Sequence, residues 1–139
     1  MATHDSKPFE QALANWMLPV FLHDRTPRSV KRFINRVRYF AIRQQGLERH
    51  INEVDLVAMA ALHHIDPGSP SLLWDSSITN DEKQLDEKLK DLPSDGAAAV
   101  IAAIKQWART SKASRNGDEL TGKQALDAFG AWAAGITVR

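Results

Sequence analysis

Arg25, Arg28, Lys31 and Arg32 crowd around a single Thr26-Pro27 step, and cations spaced this closely are suited to holding an anion. Thr26 is a residue type that caps helices and Pro27 suits a first helical position, so the four cations fall at a helix N-terminus. That end of a helix is already positive. Each exposed cation there costs on the order of a few tenths to 1 kcal/mol, whereas an anion would meet free backbone N–H groups and guanidinium forks together. A bound phosphate relieves the conflict. Pairing with acidic residues elsewhere in the chain, or simple solvation, relieves it too, and spacing alone leaves these readings open.

Other strings that could carry chemistry fail on context. Gly117-Asp-Glu-Leu-Thr-Gly122-Lys123-Gln124 has the Gly and Lys positions of a phosphate-binding loop, but Gln124 stands where a magnesium-binding hydroxyl belongs and no hydrophobic strand precedes Gly117. The five histidines, His4, His23, His50, His63 and His64, show no helical H-x-x-x-H spacing with an acid placed for zinc chemistry. His63 and His64, being adjacent, diverge by about 100° on a helix, which points to a surface or helix-end role. Asp75-Ser-Ser77 and the scattered serines form no nucleophile elbow, and the chain has no cysteine. We therefore assign no catalytic residue, no metal ligand and no cofactor to the chain acting alone.

The elements that must position the cations are helices. Apolar residues recur at helical spacing in nearly every segment and no stretch alternates with period two, so the expectation is an all-α chain. At 139 residues, 43% hydrophobic and 25% charged, it fits a single compact helical bundle of about five to seven helices spanning 1–139. A first helix from about Pro8, capped by Ser6 or Asp5, places Phe9, Leu13, Trp16, Met17 and Val20 on one side, and Pro19 is expected to end or kink it. The basic helix covers 27–45, with Gly46 expected as a left-handed stop. Its Val30, Phe33, Ile34, Val37, Phe40 and Ala41 share one arc, and Arg28, Lys31, Arg32, Arg36, Arg38 and Arg43 share the other.

Asn52 caps a helix from Glu53 to about Ile65, closed by a loop at Pro67-Gly-Ser-Pro70. Thr79-Asn-Asp-Glu82 has the pattern of a capping box, Pro93-Ser-Asp-Gly96 reads as a closing turn, and Ala97 to about Arg109 is a strong helix former. The small polar stretch at 110–118 is expected to be a mobile loop, followed by a helix from about Gly122 to Ala134. The net charge of +1 hides an asymmetry: Arg25 to His50 carries eight Lys or Arg against one acid, Glu48, and Glu53 to Asp95 carries ten acids against three lysines. Without an apolar run of about 20 residues or an h-region, the expectation is a soluble, cytoplasmic chain with no membrane span.

The segment Thr26-Pro-Arg-Ser-Val-Lys-Arg-Phe-Ile-Asn35-Arg-Val-Arg-Tyr-Phe40 resembles the helix-start signature, approximately Asn/Thr-Pro-Arg-x-x-Lys-Arg-φ-φ-Asn with φ apolar, that follows the nucleotide-binding core in KAP-family P-loop ATPases, relatives of the STAND and AAA+ ATPases. The resemblance covers about fifteen residues closely, with looser agreement from Asp55 to His64. It implies the helical lid of such an ATPase, with Arg28 resembling a sensor arginine that faces ATP phosphates. Arg25, Lys31 and Arg32 accompany it as candidate nucleotide-binding residues. The expected partner is a P-loop ATPase core, in the same or another chain, that binds ATP and magnesium. Two alternatives use the same helix: a nucleic-acid module, or one docking an acidic protein, through Arg32, Asn35, Arg36, Tyr39 and Arg43.

Overall fold

The computed structural model describes residues 7–114 and 117–137, which form seven α-helices and one 3-10 turn; the one bridge outside helices joins Ile51 to Leu120. The fold is all-α, with slightly more helical segments than the apolar pattern alone suggests. Helix α1 (Lys7–Asp24) packs on α3 (Glu53–Ile65) and α6 (Ser94–Ser114), and α2 (Pro27–Gln44) lies across α1 and α3. The 3-10 turn Ser69–Trp74, the short α4 (Ser76–Thr79) and α5 (Glu82–Lys88) lead back to α6, and α7 (Gly122–Thr137) closes against α2 and the 3-10 turn.

Helix α3 is the hub. Its sequence shows a core stripe, yet Leu56, Met59 and Ala60 are buried along with Val54, Val57, Ala58, Ala61, Leu62 and Ile65, because neighbours cover several of its sides at once. Asn52 caps it as expected, its side-chain oxygen accepting the Val54 N–H at 2.9 Å. Phe33, Val37 and Phe40 of α2 are fully buried, and Phe40 meets Phe129 of α7 with ring centres 4.6 Å apart. Val30, Ile34 and Ala41 lie at the margin of the same face.

Several local expectations need correction. Pro19 does not end α1, which continues to Asp24: the missing N–H removes one helical bond, but the proline is buried and Asn15 Nδ2 ties the segment to the Ala103 carbonyl of α6 at 3.0 Å. Met17 is not a core residue; it is 39% exposed. Gly46 is not left-handed. The described residues with positive φ are Arg25 and Gly122, and α2 ends instead in tight i→i−3 bonds, Gln45 N–H to Ile42 and Leu47 N–H to Gln44. Thr79 is the last residue of α4, so it does not open the charged helix; Asp81 does, accepting the Lys83 N–H at 3.0 Å. Ser94 to Gly96 begin α6 and do not form a closing turn.

The proposed mobile stretch at 110–118 is largely helix. α6 runs through Ser114, and within this stretch buried Ser111 donates to Asp55 of α3 while Thr110 Oγ1 donates to the Gln106 carbonyl of its own helix. Arg115 and Asn116 lie outside the described residues, as do the caps assigned to Asp5 and Ser6.

Candidate functional site

Helix α2 begins as its residue types require. Thr26 is extended, with φ −132° and ψ 145°, and its hydroxyl oxygen accepts the Ser29 N–H at 3.2 Å. Pro27 occupies the first helical position and puts Arg28 in the second. From there the helix has two unlike sides. Ser29, Phe33, Val37, Phe40 and Gln44 face the core, while Arg28, Lys31, Arg32, Asn35, Tyr39 and Arg43 are exposed and Arg36 is half-buried.

Among the described residues, no carboxylate comes within ion-pair distance of Arg28, Lys31, Arg32, Arg36 or Arg43. The acidic run from Glu53 to Asp95 therefore does not neutralise this face. Arg25 differs: its guanidinium bonds Asp95 at the start of α6. That bond holds the Asp95 carboxyl below its usual pKa. Arg25 also takes the left-handed turn at the end of α1, with φ 57°, and its backbone N–H bonds the Phe21 carbonyl. The backbone and side chain of Arg25 thus fix the two-residue connection that aims α2. Geometry brings Arg28, Lys31 and Arg32 together on an exposed surface and withdraws Arg25 from them.

A polar nest that sequence reading missed lies where α1, α2 and the end of α3 meet. Ser29 Oγ donates to Asp24 Oδ2 at 2.6 Å, and His64 Nε2 lies 2.8 Å from that hydroxyl oxygen and 3.2 Å from the same carboxylate oxygen. Because the hydroxyl proton is committed to Asp24, His64 Nε2 must carry its own proton and donate. The Ser29 bond lowers the Asp24 pKa against the opposing effect of burial. Burial lowers the His64 pKa, only partly countered by Asp24, and Arg36 pushes it the same way as burial.

Serine, histidine and aspartate are all present, but this is no hydrolase triad. A triad places its acid on one ring nitrogen and its hydroxyl on the other, whereas here both meet Nε2 and the buried Nδ1 has no partner. Ser29 is also only 4% exposed. The cluster instead ties Asp24, the last residue of α1, to the first turn of α2 through an internal hydroxyl. His64 keeps the helix-end place expected for it but not the surface one, since its side chain is 7% exposed. His63 points elsewhere, edge-on to the Phe129 ring with centres 5.7 Å apart, as adjacent helical positions require.

A second missed feature is Asp55, a fully buried residue in the first turn of α3. It accepts the Trp107 Nε1–H at 2.8 Å and the Ser111 hydroxyl at 2.7 Å, joining α3 to α6. No short-range signal announces either cluster, because each needs a contact between residues 35 to 56 positions apart along the chain.

The remaining candidates are less suited to chemistry. A groove of about 500 Å³ lies away from the basic face and is lined by residues such as Pro8, Gln11, Asn15, Trp16, Gln106 and Thr110, none of them titratable. The string that mimics a phosphate loop follows helix α6, not a strand; its Leu120 N–H bonds the His50 carbonyl at 2.9 Å and Gly122 opens α7. Among the described residues no three His, Asp or Glu side chains gather to hold a metal, and no helix is long and apolar enough to cross a membrane. Comparison of the chain with family models, with curated proteins and with solved structures returns no match.

Proposed function

We propose that this chain is a helical lid of a P-loop ATPase of the KAP type, closing over nucleotide held by a separate α/β core and passing the nucleotide state on through α2. One observation carries the reading: Arg28 stands exposed in the first turn of a rigidly seated, well-capped helix, beside Lys31 and Arg32, with no carboxylate within ion-pair distance among the described residues. A phosphate at that place meets cations and helix N–H groups at once. The Thr-Pro-Arg-x-x-Lys-Arg resemblance names ATP as its source.

In this reading the chain supplies cations and motion. The core supplies the phosphate loop, the magnesium ligands and the water that attacks, so hydrolysis belongs to the core and the assembly is cytoplasmic. The connection at Arg25-Thr26, pinned by Asp95 and by the Asp24–Ser29–His64 nest, then transmits displacement of α2 to α1, α3 and α6.

The test is Arg28→Ala in an ATPase polypeptide containing this segment with an active core. Turnover is expected to fall by about 1–4 kcal/mol of barrier, with thermal stability unchanged. Unchanged ATP binding and turnover would remove the lid assignment. The chain alone is expected to hydrolyse no ATP, and turnover abolished by Lys123→Ala would overturn that expectation.

A further inference from the structure

The first turn of α2 suffices for a nucleotide phosphate, yet the cationic face continues well beyond it. Arg32, Arg36 and Arg43, with Asn35 and Tyr39 between them, follow one side of the helix for about 16 Å at 1.5 Å per residue. A triphosphate seated at Arg28 leaves this ridge uncovered. None of its three arginines has a carboxylate within ion-pair distance among the described residues.

We infer that the ridge from Arg32 to Arg43 binds single-stranded nucleic acid, with the arginines on successive phosphates and the Tyr39 ring under an unpaired base. This assignment does not depend on the ATPase reading. Three features select this partner. From Arg25 to Leu47 there is no acidic residue at all, so the partner presents charge of one sign along its length, as a phosphodiester backbone does. Arg32 and Arg36 are separated by one helical turn, a rise of about 6 Å, which spreads the cations along a linear polyanion and does not converge them on one group. Tyr39 is 37% exposed, and its ring is braced edge-on by buried Phe40 with centres 5.6 Å apart. A half-exposed ring fixed among guanidiniums gives an unpaired base a surface to stack on, which a duplex or an acidic peptide does not use.

The stacking and ionic contributions separate in one experiment. Fluorescence anisotropy of labelled oligo(dT) and oligo(U) with the full chain should show binding whose log affinity falls with log salt, with a slope of about −2 for three phosphate contacts and about −3.5 if Arg28 and Lys31 join them. Arg32→Gln with Arg43→Gln should make the slope shallower by about 1.4. Tyr39→Ala should weaken binding by roughly 5- to 150-fold at unchanged slope, and Tyr39→Trp should retain it. Thermal melts of every variant should match the parent, since these side chains lie outside the core. The inference is overturned by absence of binding at 50 mM salt with tens of micromolar protein. It is equally overturned if polyaspartate binds as tightly, which would identify an acidic protein partner, or if Tyr39→Ala has no effect. Duplex preferred over single strand would also reject it.

Discussion

Replacing Asp55 with alanine tests whether the internal polar wiring holds the scaffold behind α2. The carboxyl group is fully buried and accepts hydrogen bonds from Trp107 Nε1 and Ser111 Oγ, both on α6 and both buried. Alanine strands two buried donors at about 1–3 kcal/mol each, giving an upper range of about 2–6 kcal/mol. Part of this is recovered because the variant no longer desolvates a carboxyl group. The net expectation is a loss of about 2–4 kcal/mol. In urea, with a slope of about 2 kcal/mol/M, the midpoint should fall by about 1–2 M with the slope unchanged. Asp55→Asn keeps an acceptor and should lose less, and the exposed Asp86→Ala should stay within about 0.5 kcal/mol of the parent. Asp55→Ala within that same margin would refute the reasoning, because the two donors would then have found other partners at no cost.

Phe33→Ala, at a site with no exposure, should destabilise by about 3–5 kcal/mol, while Arg28→Ala should leave stability level or slightly higher; equal losses in unfolding experiments would make Arg28 a structural residue. Acidification should weaken the fold through two partly buried histidines. His63 and His64 both have pKa values lowered in the folded state, chiefly by burial, so the unfolded chain takes up their protons first. Their contribution is complete above the unfolded histidine value near 6.5 and declines as pH falls from there toward the folded values. A melting temperature that drops between pH 7.5 and 5 in the parent, and drops less in the His63→Gln/His64→Gln double variant, is the expected result; equal drops would place the acid sensitivity elsewhere.

What could be read from the sequence alone was local. Thr26 and Pro27 set the start of α2, Asn52 set the start of α3, and the 3.6-residue period separated the buried Phe33, Val37 and Phe40 from the exposed Arg28, Lys31 and Arg32, because capping and amphipathic spacing act within a few residues. Where competing local signals met, tertiary packing decided: Pro19 stayed inside α1 because the core and Ala103 hold that turn, and the small polar stretch after Arg109 stayed helical, its Ser111 bonded to Asp55. The fate of each cation was also a tertiary matter. Arg25 and Arg28 look alike in the sequence, yet folding brings Asp95 to Arg25 and no described carboxylate to Arg28. The Asp24–Ser29–His64 and Asp55–Trp107–Ser111 clusters were likewise invisible beforehand, since a hydrogen bond depends on ångström placement of groups that only the packing of α3 against its neighbours brings together.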